Sequence, residues 1–311
     1  MRILSVGELL WDVIGDKDFL GGAPLNFSVS SHRLGHQVAF LSGVGADRRG
    51  ETAIKTLTAL GLNPRFVQTI PGQVTGTAFA LTDPEGNATF EIKRPAAFDF
   101  IDLDEVILHD LQQLRPEWIY FGTLAQNTLR GEAMLYRLED SLPESRCFYD
   151  MNLRESHWSL DLVQRLSRMA SIIKLNETEA ETLFRLCQCS GIYSVESFCR
   201  YWSSVYGTDV ICVTLGRLGC AVWSDGILRE FPGFSVKVAD TIGAGDAFSA
   251  AFLNALQLGW PLDRVASFAN AVGAIVASRP GATPAWEPAE CLRLLDSTPL
   301  VRSPSARTAE R

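Results

Sequence analysis

Asp240-Thr241-Ile242-Gly243-Ala244-Gly245-Asp246-Ala247-Phe248-Ser249 sets a turn with little side-chain bulk directly before a helix, with a carboxylate at their junction. The helix is predicted by the apolar spacing beyond the turn: Phe248, Ala251, Phe252, Ala255 and Leu256 recur at helical intervals, and Gly259 with Pro261 supplies the stop. A helix start leaves backbone N–H groups unpaired and carries partial positive charge, so phosphate oxygens are stabilised there where the backbone can approach. Gly243, Ala244 and Gly245 permit that approach. Asp246 has two readings: an N-cap in a glycine-rich turn, or a base that accepts the proton of an attacking hydroxyl.

The rest of the chain narrows the setting. With 311 residues and 47% hydrophobic content, one large α/β domain with a minor appendage is expected. A net charge of −8 argues against a nucleic-acid groove, which needs a concentrated basic face. No apolar run approaches the roughly 18 residues of a membrane span, and Met1 to Val6 reads as a strand rather than a signal peptide, so no membrane partner and a cytoplasmic location are expected. Seven cysteines without a CxxC pair favour reduced structural thiols over disulfides or zinc.

Short apolar runs alternate with helical patterns: Ile3 to Val6, Val38 to Leu41, Trp118 to Phe121, Cys147 to Tyr149, Ile172 to Leu175 and Val210 to Leu215. This predicts a mostly parallel sheet with crossover helices. Several runs end in Gly7, Gly43, Gly122, Asp150, Asn176 or Gly216, which marks the carboxyl edge of the sheet as a candidate site. Thr75 to Thr82 and Ala88 to Ile92 alternate with period two across Asp83-Pro84-Glu85-Gly86-Asn87 and predict a hairpin. Together with Trp11 to Leu20 it forms either a small lid sheet that excludes water or an ordinary surface hairpin. The stretch from Ser297 to Arg311, poor in apolar residues, reads as a flexible tail.

Asp240 to Leu253 resembles, over its full length, the carboxyl-terminal signature of the ribokinase-like PfkB sugar kinases, and Gly21-Gly22-Ala23-Pro24-Leu25-Asn26, followed by Gly35 and Gly45, resembles their amino-terminal one. Within that family the chain looks most like the bacterial fructokinases. The resemblance implies a three-layer α/β sandwich with a mostly parallel central sheet, one kinase domain over residues 1–296, and a β-sheet lid from about 11–20 and 73–95.

It also implies roles. Asp246 resembles the catalytic base, and Gly243, Ala244 and Gly245 the turn whose N–H groups stabilise the transferring phosphoryl group. Asn176 and Glu179 resemble the NxxE pair that organises Mg²⁺ through its waters; a helix cap and an exposed acid are the alternative. Val213 to Gly219 resembles the ATP-binding strand and turn, with Thr214, Gly216 and Gly219 near the nucleotide; Asn270 matches a position near the adenine or bonds locally. Asp240, the Ile242 carbonyl, Arg279 and Gly281 resemble a loop that holds an activating monovalent cation, K⁺ in many relatives. Ala285 falls where ribokinases often carry a serine ligand, which leaves K⁺ activation open. Asp12, Gly22, Asn26 and Asn152 match sugar-contacting positions, whose polar groups suit hydroxyls. Asp150-Met151-Asn152-Leu153-Arg154 with Trp158 resembles the fructokinase DPNLR…W element, Met151 replacing proline, and Arg94-Pro95 resembles its RP element, so Arg94 either closes over the sugar or is a surface cation.

The expected activity is transfer of the γ-phosphoryl group of Mg-ATP to a primary sugar hydroxyl, fructose O6 first, with 2-keto-3-deoxygluconate, ribose or a riboside as alternative acceptors. A non-catalytic sugar or nucleotide sensor on the same fold is the reading of another class. Gly43-Val44-Gly45 lacks the third glycine of a dinucleotide fingerprint, and no Walker A or protein-kinase HRD sequence occurs. Relatives often dimerise through lid strands, whose open edges invite pairing, so a homodimer is a further possibility to be tested.

Overall fold

In the computed structural model, residues 1–82, 88–189 and 191–297 are described. The turn predicted at 83–87 and the tail predicted beyond residue 297 lie outside the described residues; Ser297 itself ends the last helix.

The elements run β1 (Arg2–Val6), β2 (Leu10–Ile14), β3 (Lys17–Gly21), α1 (Ala23–Arg33), β4 (Gln37–Gly45), α2 (Arg48–Ala59), β5 (Val67–Ile70), β6 (Gly76–Thr82) and β7 (Ala88–Lys93). There follow α3 (Glu105–Leu114), β8 (Trp118–Phe121), α4 (Leu129–Ser141), β9 (Arg146–Asp150), α5 (Leu160–Met169), β10 (Ile172–Asn176), α6 (Glu177–Leu186) and α7 (Val195–Tyr206). The chain continues through β11 (Val210–Thr214), β12 (Gly219–Ser224), β13 (Ile227–Pro232), α8 (Ala244–Gln257), α9 (Leu262–Ala277) and α10 (Pro288–Ser297).

Nine strands form one sheet in the order β13-β12-β11-β10-β9-β8-β1-β4-β5, parallel from β11 through β5, with β12 and β13 added antiparallel. The strand residues alternate between two cores. Leu4, Val6, Ile119, Phe121, Ile173 and Leu175 face one core, with α3 to α7 over it. Ile3, Trp118, Tyr120, Phe148 and Ile172 face the other, under α1, α8, α9 and α10. Strands buried on both faces read as nearly continuous apolar runs, which is why their positions follow from sequence.

The smaller sheet has the order β3-β2-β6-β7, with β2 and β6 parallel and the outer pairs antiparallel. It joins the body where Trp11 and Leu20 pack with Leu25, Val29, Phe40 and Leu57 of α1, β4 and α2. Asp47 caps α2 by accepting from Gly50 N–H, and also accepts from the backbone N–H and hydroxyl of Thr75, which anchors the start of β6. All seven cysteines are free thiols. Among the described residues no helix is long and apolar enough to cross a membrane.

Candidate active site

The helix after the glycine turn begins at Ala244, so Gly243 occupies the N-cap and Asp246 is the third helical residue. Gly243 has a φ of 75°, and a Cβ there would lie 2.0 Å from the Ala282 carbonyl oxygen. Only glycine fits both requirements. Asp246 is therefore free of capping duty. It is 7% exposed, and its Oδ2 accepts a hydrogen bond from Asn26 Nδ2 at 2.9 Å. Burial raises its pKa to about 6, with Asp150 pushing the same way and Lys174, Asn26 and Arg154 opposing.

Behind this turn lies a buried ion pair. Lys174 on β10 is 4% exposed and places its Nζ 3.1 Å from Asp150 Oδ1, at the end of β9. Asp150 Oδ2 accepts from the hydroxyls of Tyr120 and of Ser249, one turn beyond Asp246 on α8. The same Nζ would stand 3.0 Å from a Cβ on Gly245. Burial alone would lower the lysine pKa, but Asp150, Asp246 and Glu179 outweigh it and hold the ammonium above its ordinary value. A lone lysine inside the apolar run Ile172-Ile173-Lys174-Leu175 was the available sequence signal, since charged groups are rarely buried unless paired.

Asp246 opens onto a cavity of about 310 Å³ between the smaller sheet and the carboxyl edge of the larger one. Asp12, Gly22, Asn26 and Asn152 line it, so four residues matched to sugar contacts come together around the candidate base. Asn152 has a φ of 43°, a left-handed conformation that asparagine tolerates better than most residues. Met151 N–H donates to the Lys174 carbonyl at 2.9 Å, a bond that proline at this position would forfeit. Glu8 and Arg154 also line the cavity, roles that motif matching did not assign. Burial raises Asp12 to about 6 and Glu8 to about 7, while the Arg154 guanidinium pulls both down.

Arg94 is placed differently from the reading that closes it over the sugar. Its guanidinium pairs with Asp99 and donates to the Leu124 carbonyl, and it does not line the cavity. Nor is it a surface cation, with its side chain 11% exposed. The Arg279 guanidinium pairs with Glu290 and donates to the Ala285 carbonyl. Asp240 does tie that loop together: Oδ1 accepts from Ile242 N–H and Oδ2 from Gly281 N–H.

Asn176 and Glu179 form a reciprocal capping box at the start of α6. Both oxygens of Glu179 are engaged, one by Asn176 N–H at 2.8 Å and the other by Leu153 N–H at 2.7 Å. Their remaining lone pairs fit the waters of a Mg²⁺ ion better than the ion itself. Among the described residues no three His, Cys, Asp or Glu side chains converge as a metal site. The positions matched to nucleotide binding lie outside the cavity. Thr214 stands beside Asn176 in the sheet register, and a Cβ on Gly219 would meet the Phe231 carbonyl at 2.1 Å. Gly216 opens the short turn after β11 with a φ of 58°. Asn270 Nδ2 donates to the Phe231 and Pro232 carbonyls, so its amide secures β13 against α9.

A model of the pfkB family of carbohydrate kinases matches residues 4–289. Fructokinase-1 of Zea mays is 30% identical over 324 residues, covering 94% of this chain and 97% of its own. Among solved structures, the fructokinase of Vibrio cholerae O395, in its form with bound fructose, ADP and calcium ion, aligns with a TM-score of 0.80 and 26% identity, covering 94% of this chain and 98% of its own. The fructokinase of Xylella fastidiosa with bound ATP gives a TM-score of 0.81 at 21% identity, covering 95% and 98%.

Proposed function

The chain belongs to the pfkB family of carbohydrate kinases, and from this we propose that it transfers the γ-phosphoryl group of Mg-ATP to O6 of fructose, giving fructose 6-phosphate and ADP. The observation that carries the reading is Asp246: a buried carboxylate oriented by Asn26, on the first turn of a helix, facing a cavity lined by Asp12, Asn26 and Asn152. Phosphoryl transfer asks the protein mainly for positioning and charge stabilisation. Asp246 takes the hydroxyl proton as the sugar oxygen forms its bond to phosphorus and the bridging bond to ADP breaks. N–H groups at the start of α8 face the transferring group. When bound with the nucleotide, Mg²⁺ supplies charge neutralisation on the phosphates, and Glu179 and Asn176 are suited to hold its waters. Thr214, Gly216 and Gly219 would border ATP.

Similarity to fructokinases supports fructose as the acceptor. So does the charge of the cavity, where Glu8, Asp12 and Asp246 outnumber the Arg154 guanidinium and disfavour a sugar acid. The test is ADP release from Mg-ATP with fructose, ribose, glucose, 2-keto-3-deoxygluconate and a riboside in parallel, with Asp246→Ala as control. Fructose turnover that depends on Asp246 supports the proposal. Preference for another sugar moves the specificity, and binding without turnover of any sugar favours a sensor.

A further inference from the structure

We infer that Glu8 is a specificity-determining residue of the acceptor site, whose free carboxyl oxygen takes a hydroxyl of a neutral sugar. The inference rests on the kinase reading above and adds a residue that no motif supplied. Glu8 lies two residues beyond the end of β1 and is 5% exposed. Its Oε1 accepts from Ala23 N–H at 3.3 Å, whereas Oε2 is buried and has no hydrogen-bond partner. It makes no ion pair among the described residues. A buried carboxyl oxygen left without a partner costs free energy, so a structural role alone does not account for it.

Two more unpartnered polar atoms belong to residues of the same cavity: Asn26 Oδ1 and Asn152 Nδ2. The orientation of Asn26 follows from chemistry, because Asp246 Oδ2 accepts its Nδ2 and the carbonyl oxygen is left free. Two acceptors and one donor around about 310 Å³ call for a ligand whose groups both donate and accept, and hydroxyls do so. The scaffold holds Glu8 in place. Gly22 has a φ of 114°, and a Cβ there would lie 2.4 Å from the Glu8 carbonyl oxygen, so this backbone is packed tightly against the start of the helix that carries Asn26.

A site that hydrogen-bonds a hydroxyl rejects analogues that lack it, because its own buried group is then left bare. Arg154 from the segment after β9 and Asp246 from α8 are the charges that act on Glu8, the Tyr120 phenol of β8 is within its reach, and Asp12 of β2 lines the same cavity. Burial pushes its titration up to about 7. Its contribution to sugar binding therefore changes near neutrality.

The test compares wild type, Glu8→Ala and Glu8→Gln with fructose and Mg-ATP, reading sugar KM, ATP KM and kcat from pH 5.5 to about 8.5, with melting temperatures as a check on folding. Glu8→Ala is expected to raise sugar KM by about tenfold or more, with ATP KM and kcat within about threefold. Glu8→Gln is expected to recover much of the sugar affinity and to lose the pH dependence of sugar KM near 7, keeping the limb near 6. The inference falls if Glu8→Ala leaves sugar KM within about twofold, or if Glu8→Gln, folded as wild type, keeps the change near pH 7. Should wild type phosphorylate none of the five sugars named above, the kinase reading fails before any variant is made, and this inference fails with it.

Discussion

Asn26 and Asp246 lie 220 positions apart in sequence, yet Asn26 Nδ2 donates to Asp246 Oδ2 at 2.9 Å in the buried contact between α1 and α8. A donor held on a carboxylate favours its ionised form and fixes which lone pairs remain for an incoming hydroxyl. Asn26→Ala should lower kcat/KM by about 10- to 10²-fold. Its distinguishing mark is the pH profile: without the donor, the acid limb set by Asp246 should move above about 6. A reduced rate with an unmoved limb would make Asn26 a sugar contact only.

Asp246 places activity and stability in opposition. Its folded pKa, about 6, lies above the ordinary 3.8, so between these values the native state holds a proton that the unfolded chain has released. Stability from this group therefore falls as pH rises through that window, while the ionised base needed for catalysis appears. Asp246→Asn keeps an acceptor for Asn26 and removes the charge. At pH 8 it should be more stable by about 1–2 kcal/mol, taking each pKa unit as about 1.4 kcal/mol and discounting for relaxation, and slower by about 10²- to 10⁴-fold in kcat. The gain should disappear between about pH 6 and pH 4. Denaturant melts of both proteins at the two pH extremes give the comparison.

The parts of this molecule legible in sequence were those governed by local pattern. Ile3 to Val6 and Trp118 to Phe121 announce strands because both faces are buried, and Gly243 to Gly245 announces a turn because side chains are missing. What escaped was set by partners distant in the chain. Arg94 was visible as a cation, but the Asp99 that claims it is placed by the short turn that follows. Glu8 carried no signal of its own in the sequence, and only the packing of Gly22 and Ala23 against it shows that one oxygen is left free. Asn270 could be read toward a nucleotide or toward its own surroundings; the carbonyls of β13 take its amide.

The two arginines near the smaller sheet should separate cleanly. Arg94→Ala strips the partner from Asp99, whose side chain is 5% exposed, and removing one member of a buried pair costs about 3–5 kcal/mol. Sugar KM should change little in the protein that remains folded. Arg154→Ala removes the cation that faces Glu8, Asp12 and Asp246. It should raise sugar KM and shift the acid limb upward at small cost in stability. Kinetics and melts of the pair decide the matter, and a raised KM in Arg94→Ala at unchanged stability would return that residue to the sugar site.

The glycine turn offers the sharpest contrast between neighbouring positions. Gly243→Ala meets both a left-handed φ of 75° and a backbone oxygen at 2.0 Å, neither of which a side chain can evade. It should destabilise the protein by about 2 kcal/mol or more and abolish measurable turnover, because the turn must part from Ala282. Gly245 is inside α8, where alanine is intrinsically better than glycine by about 1 kcal/mol. The obstacle there is a lysine head, Lys174 Nζ, at 3.0 Å and held to Asp150. Gly245→Ala should thus melt within a few degrees of wild type and still lose about tenfold or more in kcat, since the new methyl presses on the cation that offsets Asp150 beside Asp246. Equal losses of stability in the two variants would mean that Lys174 cannot yield, and an unimpaired Gly245→Ala would remove the ammonium from any part in the reaction.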